Sequence, residues 1–549
     1  MRKIVLSFLF LWLGLAASAQ LSGDLQVNQN FFILDSSIFP NGNVIPPQYY
    51  QQLSSTEGWL TMNYRHDDYT FGIRYDLFQN SGLRNPQAAY NGQGLGYWFV
   101  QKKTDHLDIT AGYFYEQFGS GVAFRAYEQR GQNLDYAIMG MRAKYQFSDK
   151  WSMKAFTGKQ KFLFGTYQPA ISGVFTEREF QISENFRFNA YTSVVNRVMD
   201  NSDAQTVLNN VNLQALQERF DVRRNVWIYN GGIQADYKNF SFQGEANIKT
   251  REAMNDNKID TLVDGSGNVS YTQRNILVNK PGTVLFGSVS YSKPGFGVTT
   301  QFKRTDHFDF RTSPNEILNN GLVSFLPPIA RMNTYRLTSR YAPATQLIGE
   351  QGFQVDVSKK VNKKHDVAIN LAQSTDLRNE LLYREVYLEV KSKIGTKIKA
   401  IYGVQYLNYN FGVYQKQEIP GTNGNTTDKM VRAVTPYVDV TYKIDRKKSL
   451  RMELSHMSTQ QDLGSWWWGL LEYNIAPKYS FSIMDMWNYG NPRANERIHY
   501  YTIFGAVNFG KNRLAGGYVK QVQGVVCNGG VCRVEPAFNG FRFTLTSTF

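Results

Sequence analysis

Beyond Leu15 the chain has no apolar run close to the roughly 20 residues a membrane-spanning helix requires, and its mean hydropathy of -0.41 would pass as soluble. Cysteine is almost absent. Cys527 and Cys532 are the only two, which excludes a disulfide-built scaffold and, with no histidine close in sequence, a zinc site. The six histidines (His66, His106, His307, His365, His456 and His499) are scattered, and none forms a His-Ser or His-Asp constellation. No catalytic residue, metal or cofactor is therefore expected, and the protein is not expected to be an enzyme. Proline is sparse, 16 residues against 45 glycines, while aromatics reach 15%. That balance suits many strands with aromatic girdles at two membrane interfaces.

The last residues, Phe541 to Phe549, alternate apolar with polar and end on an aromatic carboxyl terminus. Phe541, Phe543, Leu545 and Phe549 share one face; Arg542, Thr544, Thr546 and Thr548 share the other. One face suits lipid and the other a wet lumen. This stretch resembles the C-terminal assembly signal of outer-membrane proteins, which implies the barrel-assembly machinery as a partner; Ser547 departs from the apolar ideal. At the other end, Arg2 and Lys3, the apolar run Ile4 to Leu15 and Ala17-Ser18-Ala19 before Gln20 have the three regions of a secretory signal peptide. A single membrane anchor is the competing reading, but the run is too short to span. The expected division is a signal peptide, 1–19, cleaved after Ala19, and a barrel, 20–549. No cysteine follows the cleavage site to carry a lipid anchor.

The chain carries a formal net charge of +15, or +13 once Arg2 and Lys3 are removed. A secreted chain rarely meets nucleic acid, so none is expected as a partner. Outer-membrane lipids and anionic lipopolysaccharide outside, or an anion-attracting lumen inside, are better matches for the charge. Solvated lysines at turns and loop rims are the plain alternative.

Runs of alternating residues recur to the end. In 382–394, Leu382, Val386, Leu388, Val390 and Ile394 fall on one face and Tyr383, Glu385, Tyr387, Glu389, Lys391 and Lys393 on the other. Gly395-Thr396 then makes a hairpin turn, and in the next run Ile398, Ala400, Tyr402, Val404 and Tyr406 oppose Lys397, Lys399 and Gln405. With both termini in the periplasm, short turns there must alternate with long outer loops. Counting on that rule predicts an all-β fold: a single transmembrane antiparallel β-barrel of about 24 strands, with inward-folded and long outer loops. Met332 to Tyr341 would break the parity, so it belongs inside one long connection, roughly 305–350. Alternation leaves no room for a separate plug domain, periplasmic modules or a passenger, which argues against an energised transporter, a two-partner secretion pore and an autotransporter.

One connection, Phe114 to Gly131, does not read as a loop. Gly119 and Gly121 allow a sharp bend off the wall, and Phe118, Phe124 and Tyr127 need burial. Folded inward, it would bring Glu116, Arg125, Glu128 and Arg130 face to face across the remaining water as a lumen constriction; alternatively those charges merely pair to hold the loop. Tyr115, Glu116, Gln117, Phe118, Gly119, Gly121, Phe124, Arg125, Tyr127 and Glu128, with a later Gly352-Phe353-Gln354-Val355-Asp356 and Gln20, resemble a family of Bacteroidota outer-membrane barrels of unknown function. The resemblance implies a porin-like fold and a compartment, and no activity.

Other signals are weaker. A Cys527–Cys532 disulfide is expected at an outer hairpin tip. Trp466-Trp467-Trp468 reads as interfacial belt rather than a sugar platform. Residues 204–220 suit a short amphipathic helix or an irregular loop. Asp256, Asp260, Asp264 and Asn268 lack the ordered EF-hand pattern of a calcium site. Two functions follow. The leading expectation is a porin-like channel for small polar solutes or ions in the outer membrane. The alternative is a non-transporting interaction subunit with an occluded lumen, bound to an envelope protein partner in a larger complex.

Overall fold

A computed structural model describes residues 21–39, 45–85, 87–263, 269–415, 429–528 and 531–549, with the side chains of 257–275 and 525–534 outside the description. The N-terminal 1–20 region, and with it the expected cleavage site, lies outside the described residues. Along the chain come β1 (Leu21–Phe32), β2 (Ser54–His66), β3 (Tyr69–Ser81), β4 (Tyr90–Lys103), β5 (Leu107–Phe114), β6 (Ile138–Ser148), β7 (Trp151–Phe162) and β8 (Gly165–Ser183). Then follow β9 (Phe186–Val198), β10 (Asn225–Tyr237), β11 (Phe240–Val263), β12 (Val269–Lys293), β13 (Phe296–Asp306), β14 (Gly349–Lys360), β15 (His365–Thr375) and β16 (Leu381–Ile394). The last eight are β17 (Ile398–Asn410), β18 (Met430–Lys443), β19 (Lys448–Met457), β20 (Trp466–Ile475), β21 (Tyr479–Trp487), β22 (His499–Phe509), β23 (Asn512–Gln521) and β24 (Phe538–Thr548). Each pairs antiparallel with its chain neighbours, and β24 pairs with β1 from Asp24↔Thr548 to Phe32↔Gly540, closing a 24-stranded barrel of the outer-membrane kind.

Period-two alternation sets which residues face in. On β16, Val386 and Leu388 are about 40% exposed on the outer surface while Tyr387 and Glu389 are buried inside. On β24, Phe541 and Phe543 face outward and Arg542 turns inward to Asn30, as the sequence pattern predicts. Closing the sheet removes every free edge, so all strand amides in the hydrocarbon find partners.

Tight turns such as Asp67-Asp68 and Glu184-Asn185 lie at one end of the barrel, and most long connections at the other. The expected alternation of lengths breaks at two places. Only Leu163-Phe164 joins β7 to β8, with Leu163 at a φ of 54°, so this outer connection is a tight turn. Between β11 and β12 a long outer loop gives way to an extension of the hairpin itself, paired from Glu252↔Lys280 to Val263↔Val269 beyond a register shift at Lys249/Glu252. Both departures have one cause: a strand continues past the membrane band wherever its neighbour supplies backbone partners.

Between β9 and β10 the chain forms helix α1 (Asn201–Asn212), which Asp200 caps by accepting the Asp203 amide. Val207 and Val211 pack on Met199, Ala253 and Leu277. The helix stops before the expected end at 220, and Leu213 and Leu216 are left exposed.

Candidate functional site

Two of the connections fold into the barrel and meet there. The first, 115–137, forms a hairpin of Glu116–Phe118 against Phe124–Ala126, then a short pairing of Glu128–Gln129 with Leu134–Asp135. Gly119 and Gly121 both have positive φ at its bend, as their position in the sequence suggested. The second, 307–348, contains no barrel strand, so Met332 to Tyr341 lies within a connection as the parity count required. The two are joined backbone to backbone: the Arg125 amide donates to Val323 and the Phe325 amide to Gly121.

Their apolar side chains fill the lumen. Phe118 and Phe124 are 0% and 1% exposed, and with Phe308, Phe310, Val323 and Leu326 they pack on inward residues of the wall, among them Phe156, Ile171, Phe175, Val195 and Ile228. Leu337 and Tyr341 reach a second cluster around Tyr383, Tyr409, Val431 and Trp466. Burial of each such ring contributes about 1.5–3 kcal/mol.

Charged contacts hold the same connections to the wall. Arg74, buried on β3, donates to Asp76 at 2.6 Å, to Glu128 at 2.7 Å and to Asp135 at 2.8 Å; Lys161 on β7 reaches Asp135 at 2.6 Å. Burial pushes the Glu128 carboxyl up, against the opposing pull of Arg74 and Arg130. Asp135 ends below the usual carboxylate range, because Lys161 and Arg74 outweigh its burial. Across the lumen, Asn333 donates to Glu385 at 2.6 Å, Gln405 donates to the Thr338 carbonyl, and Arg331 lies over the Tyr387 ring at 3.8 Å.

The four expected constriction residues are split rather than opposed. Glu128 and Arg130 pair at 3.1 Å, and Arg130 also lies 3.6 Å from Asp24. Glu116 instead pairs with Lys154 at 2.9 Å and Arg142 at 3.4 Å on the wall. Arg125 stacks on Phe325 at 4.0 Å and on Tyr127 at 4.5 Å. The wall decides this: Arg142 and Lys154 on β6 and β7 stand within reach of Glu116, and Arg74 on β3 within reach of Glu128, so each carboxylate is paired at the wall instead of facing another charge across water. A cavity of about 520 Å³ remains beside this cluster, bordered by Trp59, Arg84, Arg130, Phe164, Tyr167 and Tyr414.

Arg74, Asp135 and Lys161 escaped the sequence reading. The signal was present in Phe71 to Leu77, where Arg74 and Asp76 interrupt the lumenal face of a strand whose other face is Phe71, Ile73, Tyr75 and Leu77. The tryptophan run divides in the same way: Trp467 is exposed outside, whereas Trp466 is fully buried in the lumenal cluster, so only Trp467 fits an interfacial belt. Cys527 stands opposite Cys532 in the hairpin of Gly524–Asn528 with Val531–Glu535, while both side chains lie outside the described residues. So do the side chains of Asp260, Asp264 and Asn268; Asp256 is described, 3.9 Å from His307.

A family model, "Family of unknown function (DUF6029)", matches residues 1–549. The chain belongs to this family. No curated protein matches it. Among solved structures, this family's barrel is similar to the siderophore receptor PirA from Pseudomonas aeruginosa, at 10% identity and a TM-score of 0.38, covering 96% of this chain and 80% of that one. It is also similar to the P pilus usher (PapC) translocation pore, at 7% identity and 0.43, covering 96% and 99%. The outer membrane transporter YddB from Escherichia coli is a third, at 8% and 0.40, covering 96% and 81%.

Proposed function

We propose that this protein is an outer-membrane barrel whose lumen is closed at rest by its own internal connections, and that it acts as a membrane-embedded interaction subunit for another envelope component. One observation carries this reading. The inward faces of β7 to β10, which a water-filled pore would leave wet, are apolar at Phe156, Ile171, Phe175, Val195 and Ile228, and Phe118, Phe124, Phe308 and Phe310 bury them. A porin lumen is polar because it holds water; this one is packed as a core. Planar-bilayer recording of the purified barrel tests the reading. The wild type is expected to be silent, and deletion of 116–136 together with 309–346 is expected to produce steady conductance. Steady conductance in the wild type would overturn it.

A second reading, a channel for small polar solutes that opens when these connections move, draws on the charged character of one contact. The first connection meets β3 and β7 through Arg74, Glu128, Asp135 and Lys161, and water can replace ion pairs more readily than it can replace a packed aromatic cluster. In that reading, neutralising Arg125 and Arg130 shifts the selectivity of the open state towards cations, and neutralising Glu116 and Glu128 shifts it the other way.

A further inference from the structure

The basic charge of this chain is not spread over its surface. Segment 359–366 carries four Lys and one Asp, 391–399 four Lys and no carboxylate, and 443–448 three Lys, one Arg and one Asp. These net charges of +3, +4 and +3 make up ten of the chain's +15. All three segments are at tight turns between successive strands, β14–β15, β16–β17 and β18–β19, and so lie on one arc at the short-turn end of the barrel. Lys293 and Lys478, at the adjoining turns, extend the arc on either side. The turns of the opposite arc are balanced: 65–68 carries Arg65 against Asp67 and Asp68, 148–151 pairs Asp149 with Lys150, and 236–239 pairs Asp236 with Lys238.

The lysines of the arc are exposed, and among the described residues only Lys391 has a carboxylate in ion-pair reach, Glu389 at 3.2 Å. Alternation puts a subset of them on the lumenal side. On β16, Lys391 and Lys393 share the face of Tyr387 and Glu389; on β17, Lys399 shares that of Gln405; on β18, Lys443 shares that of Tyr437 and Asp439. A cleft of about 380 Å³ opens in the same arc, bordered by Lys293, Lys359, Lys360 and Lys391 together with Asp366 and Glu389.

We propose that this arc is the docking surface for an acidic protein segment, rich in Asp and Glu, that approaches from the short-turn side and enters the barrel mouth. The proposal rests on the reading of the barrel as an interaction subunit and names the chemistry of its partner. Lys393 stands directly across from Lys399 in the β16–β17 register, so like charges adjoin and repel one another; a polyanion that neutralises them recovers that energy, while their field steers it to the site. Anionic phospholipid is the competing occupant, and two observations weigh against it. Headgroups surround a barrel on all sides, whereas the charge occupies one arc. Headgroups also reach only the outer surface, whereas Lys391, Lys393, Lys399 and Lys443 face the lumen. Short turns mark the periplasmic side in single-chain barrels of this class, so the charge faces away from lipopolysaccharide.

The test uses the full barrel in nanodiscs of neutral lipid and a fluorescent (Glu-Gly)8 peptide, with (Gln-Gly)8 as the uncharged control. The acidic peptide is expected to bind, to weaken steeply with salt, and to lose at least tenfold in affinity in a variant carrying Lys391→Gln, Lys393→Gln, Lys399→Gln and Lys443→Gln. Lys511→Gln with Arg513→Gln, elsewhere on the rim, should leave it unchanged. Heat-modifiable migration confirms that each variant is folded. Equal binding of the two peptides, or equal loss in both variants, overturns the proposal. Retention of phosphatidylglycerol by native mass spectrometry that depends on Lys359 and Lys448, which share the outward faces of Phe353 and Met452, without peptide binding, assigns the arc to the membrane and overturns it as well. Bilayer silence is measured separately, so a closed lumen without acidic-peptide binding rejects this inference and leaves the reading of the lumen standing.

Discussion

Phe549 and Gly23 close the barrel: each amide donates to the other's carbonyl at 3.0 Å, and a Cβ on Gly23 would meet the Phe549 ring and the Thr61 carbonyl at 2.5 Å. The terminal aromatic thus lies across the seam where the first strand has no side chain. Gly23→Val should disturb the seam, and deleting Phe549 should remove its last hydrogen-bonded pair. Both variants are expected to reduce the fraction of heat-modifiable, membrane-inserted protein severalfold; wild-type yield for the deletion would show that this end is not required for assembly.

Arg74 holds three carboxylates at the wall. Arg74→Gln leaves Asp76, Glu128 and Asp135 with Lys161 and Arg130 as their remaining cations, and breaking a buried set of this kind costs on the order of 3–5 kcal/mol. The expected result is a lower denaturation midpoint and new protease cleavage within 115–137. Unchanged protection would mean that the apolar cluster alone retains the connection.

Asp135 gives the acid side of the same contact a direction. Its folded pKa lies below the unfolded value of about 3.9, so its contribution is full well above that value and is lost as pH falls through it towards the lower folded one. The stability difference between wild type and Asp135→Asn should therefore be constant from pH 7 to about 5 and shrink below about 4. A difference that shrinks between pH 7 and 5 would contradict the assignment.

The backbone register of Cys527 and Cys532 suits a disulfide across a short hairpin. Non-reducing mass mapping should find the linked peptides, and reduction should leave the barrel heat-modifiable, because so small a loop adds little to stability. Free thiols would reject the pairing.

The sequence by itself determined the barrel wall. Alternation along 382–394 and 398–406 gave the faces, Gly395-Thr396 the hairpin, and the parity of turns the count of strands, because a closed sheet between lipid and lumen imposes period two on every crossing. Inward folding of Phe118 and Phe124 was legible too, since those rings stand where no strand or surface loop would keep them. Only the tertiary structure decided what they meet. The partners of Glu116 are on β6 and β7, the wall partner of Glu128 is on β3, and Arg125 ends on Phe325, two hundred positions along the chain. A period-two pattern states which way a side chain points and not what stands opposite it across the lumen. The 307–348 segment has no period that runs its length, so its course past Val323 in one cluster and Tyr341 in the other was set by packing between residues remote in sequence. The basic arc lies between these cases: its lysines are plain in the sequence, but only the order of strands around the barrel places them side by side.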